Sequence, residues 1–446
     1  MNKVVIKNGL VVHADREQTE DIRISDEKIV EVGPDLSASK REEVIDAKGK
    51  WVFPGIIDPH THMGIPIKEQ WSADNFESGS KSAINGGVTT IIDFSILGEN
   101  QSLSESIAER KKLAENAICD VSLHCNFTHF SKELLNEIPS IIKGGISSFK
   151  VFTTYKESGM MLDYDQIEAV AKVIGDHNGI LMVHAEDDRE IENASGQIDE
   201  SALLSPSSHG QSRPVSAEET AIRNVAKIAD RTDCSMYIVH LNTAAGLEEA
   251  KRSGNILVET CPHYLLLDDS AYTRDDGRMF VASPPLRKPS DNRALWHGIM
   301  DGSIHTIGSD HCPFCKRQKK EDIPYHQIPN GMGGVETLFP VLLAQWISRD
   351  LPKSRLTQLM AANPAKIFGL DKKGSIAPGM DADLLIVNPN NLTSSWTSGL
   401  VSITDWNAYS DFPACFPEQV FLRGCSILIS GRMENSDAGK FIYNSM

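Results

Sequence analysis

The chain has 446 residues, 40% of them apolar, and a formal net charge of −17. That length exceeds one ordinary globular domain and suits a large α/β barrel with a small accessory domain. The negative balance argues against nucleic acid and against anionic membrane surfaces, since both call for basic patches.

Other exclusions follow from the pattern. No apolar run reaches the roughly 18 residues that a membrane-spanning helix needs. The opening segment, Met1-Asn2-Lys3-Val4-Val5-Ile6-Lys7, is too short for a signal-peptide core. The eight cysteines are scattered, so no disulfide framework is expected and a reducing cytoplasm is the expected location.

Taken in chain order, residues 3–12, 20–32 and 43–46 read as short strands with hairpin connections. From there, β-branched apolar runs alternate with longer helical stretches. The runs are 52–62, 89–94, 120–128, 148–152, 179–186, 234–242, 256–265 and 304–313. Helices are expected between them, as over 73–85, 163–178, 217–231 and 290–301. Strands that each lead into a crossover helix predict a TIM (β/α)8 barrel. A doubly wound open sheet is the alternative, but no phosphate-binding glycine loop follows the first strand. Further strands are expected at 383–387 and 419–429. Neither end carries a core of its own, so the two are expected to join in one small β-sandwich. The expected boundaries are 1–50 for its N-terminal part, 51–372 for the barrel, and 373–446 for its C-terminal part and tail.

A TIM barrel gathers its chemistry at the C-terminal ends of its strands. There the sequence places His60 and His62 on strand one, Lys150 on strand four, His184 on strand five, His240 on strand six and Asp310 on strand eight. Alternation along a strand turns His60 and His62 to one side, into the mouth. Each residue alone has an ordinary explanation: an incidental His-x-His, a satisfied buried histidine, a turn-capping aspartate, a surface lysine. Together they would bury charge without partners, which is costly unless a metal takes the place of the missing partner. Four histidines, an aspartate and a lysine suit two divalent ions about 3.5–4 Å apart. A lysine ammonium would repel such ions. Charge balance therefore predicts that Lys150 is N-carboxylated by CO2 and bridges them as an anion.

At this point the chain resembles the hydantoinase/dihydropyrimidinase branch of the amidohydrolase superfamily, almost from end to end. The resemblance rests on Phe53-Pro54-Gly55-Ile56-Ile57-Asp58-Pro59-His60-Thr61-His62, Ser148-Phe149-Lys150-Val151-Phe152, Val183-His184-Ala185-Glu186 and Val239-His240-Leu241. It continues through Glu259-Thr260-Cys261-Pro262-His263-Tyr264, Ser283-Pro284-Pro285-Leu286-Arg287 and Gly308-Ser309-Asp310-His311-Cys312-Pro313-Phe314. Near the C-terminus it includes 363–370 and 379–384. The resemblance implies that His60, His62 and Asp310 hold one metal, that His184 and His240 hold the other, and that Lys150 bridges them. It implies zinc, although the donor set also suits manganese or cobalt. A homotetramer is a further family expectation. The pair Cys312 and Cys315 has C-x-x-C spacing but no second pair, so a separate zinc site is not expected. His263 and His311 are read as packing or supporting residues.

The expected reaction is hydrolysis of a cyclic amide, a hydantoin or dihydropyrimidine ring, to an N-carbamoyl amino acid by a metal-bridging hydroxide. Asp310 would carry the proton. By resemblance, Tyr155 would stabilise the oxyanion, and Ser283 and Asn330 would give backbone hydrogen bonds to the ring amide. The substrate is then a small cyclic ureide, its substituent read by loops 64–71 and 156–161. Dihydroorotase and allantoinase are the alternatives among hydrolases. Met63 and Gly64, rather than an arginine, follow His62, and Tyr155 is present, so both are disfavoured. A non-catalytic scaffold of the same family would be expected to have lost ligands, and here all six positions are kept.

Overall fold

The computed structural model describes residues 3–434 and 438–445. Eight strands, Ile56–Thr61, Val88–Phe94, Asp120–Asn126, Ser148–Phe152, Ile180–His184, Ser235–Ile238, Ile256–Thr260 and Thr306–Ile307, form one sheet in chain order. Each runs parallel to the next. A parallel bridge from Thr61 to His311 connects the last segment back to the first, as a TIM barrel requires. Most of these strands are buried along their whole length, which explains why they read as continuous apolar runs rather than alternating ones. Ile57, Ile92, Met182, Tyr237 and Val239 form a core of their own, joined by Phe368.

The helices begin where the sequence supplies caps. Asn75 and Asp163 each accept from a backbone N–H three residues on, with a reciprocal bond back, at the starts of Phe76–Asn85 and Tyr164–Gly175. The helix Val215–Thr232 buries Ala221, Ile222, Val225 and Ala229 on one face, at the spacing of an amphipathic helix.

Three expectations need correction. The run expected at 52–62 is two strands. Trp51–Pro54 pairs with Lys3–Val12 and Leu384–Val387 in the terminal sheet, and the barrel begins at Ile56. Gly55 divides them, because a Cβ there would lie 2.1 Å from Thr89 Oγ1. The terminal sheet thus extends past the boundary expected at 50. The run 256–265 stops at Thr260, since Pro262, which lacks an N–H, opens the helix Pro262–Leu266. The run 304–313 keeps only Thr306–Ile307 as strand. Beyond it the pairing thins to Gly308 N on Thr260 O at 3.1 Å and the Thr61–His311 bridge, while Ser309 N donates to the side chain of Asp58, Oδ1, at 2.9 Å.

Both chain ends build one nine-stranded sheet around a second core that includes Val4, Ile22, Ile29, Leu384 and Phe421. Within it, 20–32 contains a hairpin between Glu17–Ser25 and Lys28–Gly33, and 419–429 another between Gln419–Leu422 and Cys425–Ile429. Arg423 and Gly424 turn the latter with φ of 43° and 72°, as a tight hairpin demands. The buried Lys373 ammonium ties this sheet to the barrel. It lies 2.5 Å from Asp120, 2.6 Å from Asp383 and 3.0 Å from Asp381, and Arg423 also pairs with Asp120.

Candidate metal centre

The mouth of the barrel brings His60, His62 and Asp310 together. His60 Nε2 and His62 Nε2 lie 3.2 Å apart, and each is 3.1 Å from Asp310 Oδ1. The three donors all fall within 4.8 Å of one another. His60 is fully buried, and its Nδ1 lies 2.7 Å from Glu259 Oε1. With that nitrogen carrying the proton, the Nε2 lone pair faces His62 and Asp310. Two imidazole nitrogens and a carboxylate converging on one point suit a divalent cation. Burial lowers the His60 imidazole, but Glu259 and Asp310 outweigh it and leave it above its ordinary value. Burial would raise Asp310, yet His60, His62 and His240 hold it far below the usual carboxylate range.

A second pair stands beside the first. The His184 and His240 rings are 4.6 Å apart, and the His60 and His240 rings 5.4 Å. His184 Nε2 meets Glu186 Oε2 at 2.8 Å, which leaves its Nδ1 for a ligand. Burial pulls the His184 imidazole down to about 4 and the His240 imidazole well below its ordinary value. Both are therefore neutral at pH 7, the form that can ligate. Lys150 is 2% exposed, with Nζ 5.0 Å and 4.8 Å from the Phe94 and Phe152 ring centres. Burial pulls its ammonium down to about 8, against the pull of Asp310 and Glu259.

Tyr155, Ser283 and Asn330 also come together. The Tyr155 ring lies 5.1 Å from the His184 ring, and its hydroxyl reaches Ser283. Asn330 Nδ2 donates to Ser283 Oγ at 2.8 Å. Three residues of the site, Tyr155, His240 and Asp310, have φ of 69°, 44° and 50°. Non-glycine residues in that region are costly and tend to gather at functional sites.

Sequence reasoning assigned no role to the residues that hold these groups. Glu259 bonds His60 through one oxygen, which also accepts the His240 N–H at 3.0 Å; the other accepts from Tyr237 OH at 2.8 Å. The buried Glu186 pairs with Arg213, whose guanidinium sits 5.1 Å over the Tyr155 ring. Burial would raise Glu186, but Arg213 holds it down at about 2. Asp58 ties the His60 backbone to Ser309, with bonds of 3.2 and 2.9 Å. Their signal was an acid inside an otherwise apolar strand or at its end. His311 turns away from the centre: its Nδ1 accepts from Gly334 N at 3.0 Å, and its Nε2 lies 3.2 Å from Asp74. Among the described residues all eight cysteines are free and none joins a cluster of possible metal donors, Cys312 and Cys315 included.

Residues 51–412 match the family model described as "Amidohydrolase family". The chain belongs to the amidohydrolase family. It is 35% identical over 423 residues to the D-phenylhydantoinase of Escherichia coli O81 (strain ED1a), spanning 92% of this chain and 91% of that protein. The crystal structure of dihydropyrimidinase from Brevibacillus agri NCHU1002 superposes with a TM-score of 0.94 at 30% identity, covering 99% of both chains. The D-hydantoinase (dihydropyrimidinase) of a Thermus species does so with a TM-score of 0.94 at 31% identity, again over 99% of both. Amidohydrolases are metal-dependent, in keeping with the donor cluster at the barrel mouth. No described helix is long and apolar enough to cross a membrane.

Proposed function

We propose that this amidohydrolase opens a neutral cyclic ureide or imide, of the hydantoin or dihydropyrimidine type, to an N-carbamoyl amino acid. The convergence of His60, His62 and Asp310 beside Tyr155, Ser283 and Asn330 carries the reading. His60, His62 and Asp310 would hold one divalent ion and His184 and His240 a second, with N-carboxylated Lys150 between them; zinc is the proposed metal. When bound, the pair supplies a hydroxide nucleophile near neutral pH and polarises the ring carbonyl.

The chain's own groups then act in sequence. Asp310 accepts the proton of the attacking oxygen and delivers it to the leaving ring nitrogen. Tyr155 donates its phenol to the carbonyl oxygen as charge builds there. Burial pushes that phenol up to about 12, so it remains a donor across the working pH range. The backbone at Ser283 and Asn330 reads the –NH–CO–NH– edge. Glu186 and Arg213 keep His184 and the Tyr155 ring in place.

The test is kcat/KM for dihydrouracil and 5-substituted hydantoins against dihydroorotate and allantoin. The first group is expected to win. A tenfold advantage for dihydroorotate or allantoin would overturn the substrate while leaving the metal centre intact. Elemental analysis of zinc-supplied protein is expected to find about two ions per chain. Background metal in protein that hydrolyses these rings would overturn the centre, and background metal without hydrolysis would favour a scaffold. A cytoplasmic homotetramer completes the proposal, and light scattering should give close to four times the 49.0 kDa chain mass.

Glu259 yields a separate prediction. Its carboxylate orients a ligand from each pair, His60 by the ring and His240 by the backbone. Glu259→Gln is expected to weaken zinc binding by about 10–100-fold in a chelator competition. Unchanged affinity would mean that the ligands hold their orientation without it.

A further inference from the structure

The segment 315–322, Cys-Lys-Arg-Gln-Lys-Lys-Glu-Asp, reads as a solvated, charged loop. One of its lysines is not solvated. Lys319 is 3% exposed and has no ion pair among the described residues. Its ammonium instead donates to Met279 O at 3.0 Å, Val281 O at 2.8 Å and Gly331 O at 2.7 Å. Taking an ammonium out of water is expensive, and burial pulls this one down to about 7; a position that holds it against three carbonyls and the Phe314 ring, its centre 5.8 Å away, is a strongly determined one.

The three carbonyls belong to the two segments that carry Ser283 and Asn330. Val281 precedes Ser283 by two residues, and Gly331 follows Asn330. The segments also bond directly, Gly331 N to Val281 O at 3.0 Å and Asn330 Nδ2 to Ser283 Oγ at 2.8 Å. Around Gly331 there is little slack: its φ is 143°, and a Cβ there would meet Cys312 O at 2.5 Å. Lysine suits this node because its compact charge presents three donors, whereas the planar fork of arginine does not. A neutral side chain would leave buried carbonyls unpaired.

We propose that Lys319 is a positioning residue for the substrate: its ammonium fixes the spacing of the Ser283 and Asn330 segments, and so the grip on the ring. This rests on the reading above that those segments hold the ureide edge. Lys319 touches neither metal-binding pair, so its effect falls on binding rather than on the chemical step.

The test is Lys319→Met and Lys319→Arg, each assayed for kcat, KM, bound metal and Tm with dihydrouracil and hydantoin. Both variants are expected to keep two metals and a kcat within a few-fold of the parent. KM is expected to rise about ten- to a hundredfold in Lys319→Met, with incomplete rescue by Lys319→Arg. A folded variant with unchanged KM, or one whose kcat and metal content fall while KM holds, overturns the proposal. Hydrogen exchange on the parent protein gives a second measurement that survives misfolding of either variant. Saturating N-carbamoyl-β-alanine should slow exchange in 279–283, 316–320 and 328–332 together. Protection of the outer two segments without 316–320 counts against the strut. If the parent protein opens no ureide at all, the substrate reading fails instead, and the two failures are distinguishable.

Discussion

Lys150→Ala is expected to leave less than about one per cent of the parent turnover and to reduce bound metal, because it removes the anion proposed to lie between the two ions. The starting point is a lysine that is 2% exposed, wedged between Phe94 and Phe152, with neutral histidines nearby. An ammonium there would oppose any cation in the barrel mouth. Burial already pulls Lys150 down to about 8, so the free amine, the form that adds CO2, is accessible near neutrality. The sign is clear: the amine fraction grows as pH rises through about 8. At a fixed concentration of dissolved CO2, metal-stripped protein given zinc should therefore regain activity faster above that pH than at pH 7. Native mass spectrometry should show the added mass of one CO2 in the parent and not in Lys150→Ala. Short-chain carboxylic acids are expected to restore part of the lost activity. A Lys150→Ala protein with full turnover and full metal content would exclude the bridge.

Much of this arrangement was legible because it is written in local pattern. His60 and His62 share a strand face through simple alternation, and the apolar runs reflect strands buried on both sides. What escaped was set by distant partners. The split at Gly55 depends on Thr89, and the short final strand on a bond from Ser309 to Asp58. Glu259 stood in plain view as an acid in the strand Ile256–Thr260, but its bond to His60 spans 199 positions. Lys319 was hidden by its charged neighbours. The backbone roles expected of Ser283 and Asn330 rested on resemblance alone, and the bond between their side chains was not foreseeable from positions 47 apart.

Asp310→Asn is expected to lower kcat by about 10²–10⁴-fold, with a much smaller change in KM. Asparagine keeps the shape but cannot accept a proton, and its amide nitrogen would turn a donor toward His60 and His62, where lone pairs converge. Two losses are therefore mixed, the shuttle and a charge beside the metal, and metal analysis separates them. If the variant retains about two ions, the fall in kcat belongs to proton transfer. The strong depression of the Asp310 carboxyl, against the effect of burial, means that it is ionised throughout the neutral range and always ready to receive the proton. It holds the proton only transiently, and a leaving nitrogen that becomes more basic as its bond breaks can take it back. Substrates with poorer leaving nitrogens should then suffer most from Asp310→Asn, whereas Tyr155→Phe should act on all of them alike, since it weakens only the grip on the oxyanion. A fall of less than tenfold in Asp310→Asn, or an equal fall across leaving groups, would move the proton shuttle to another residue.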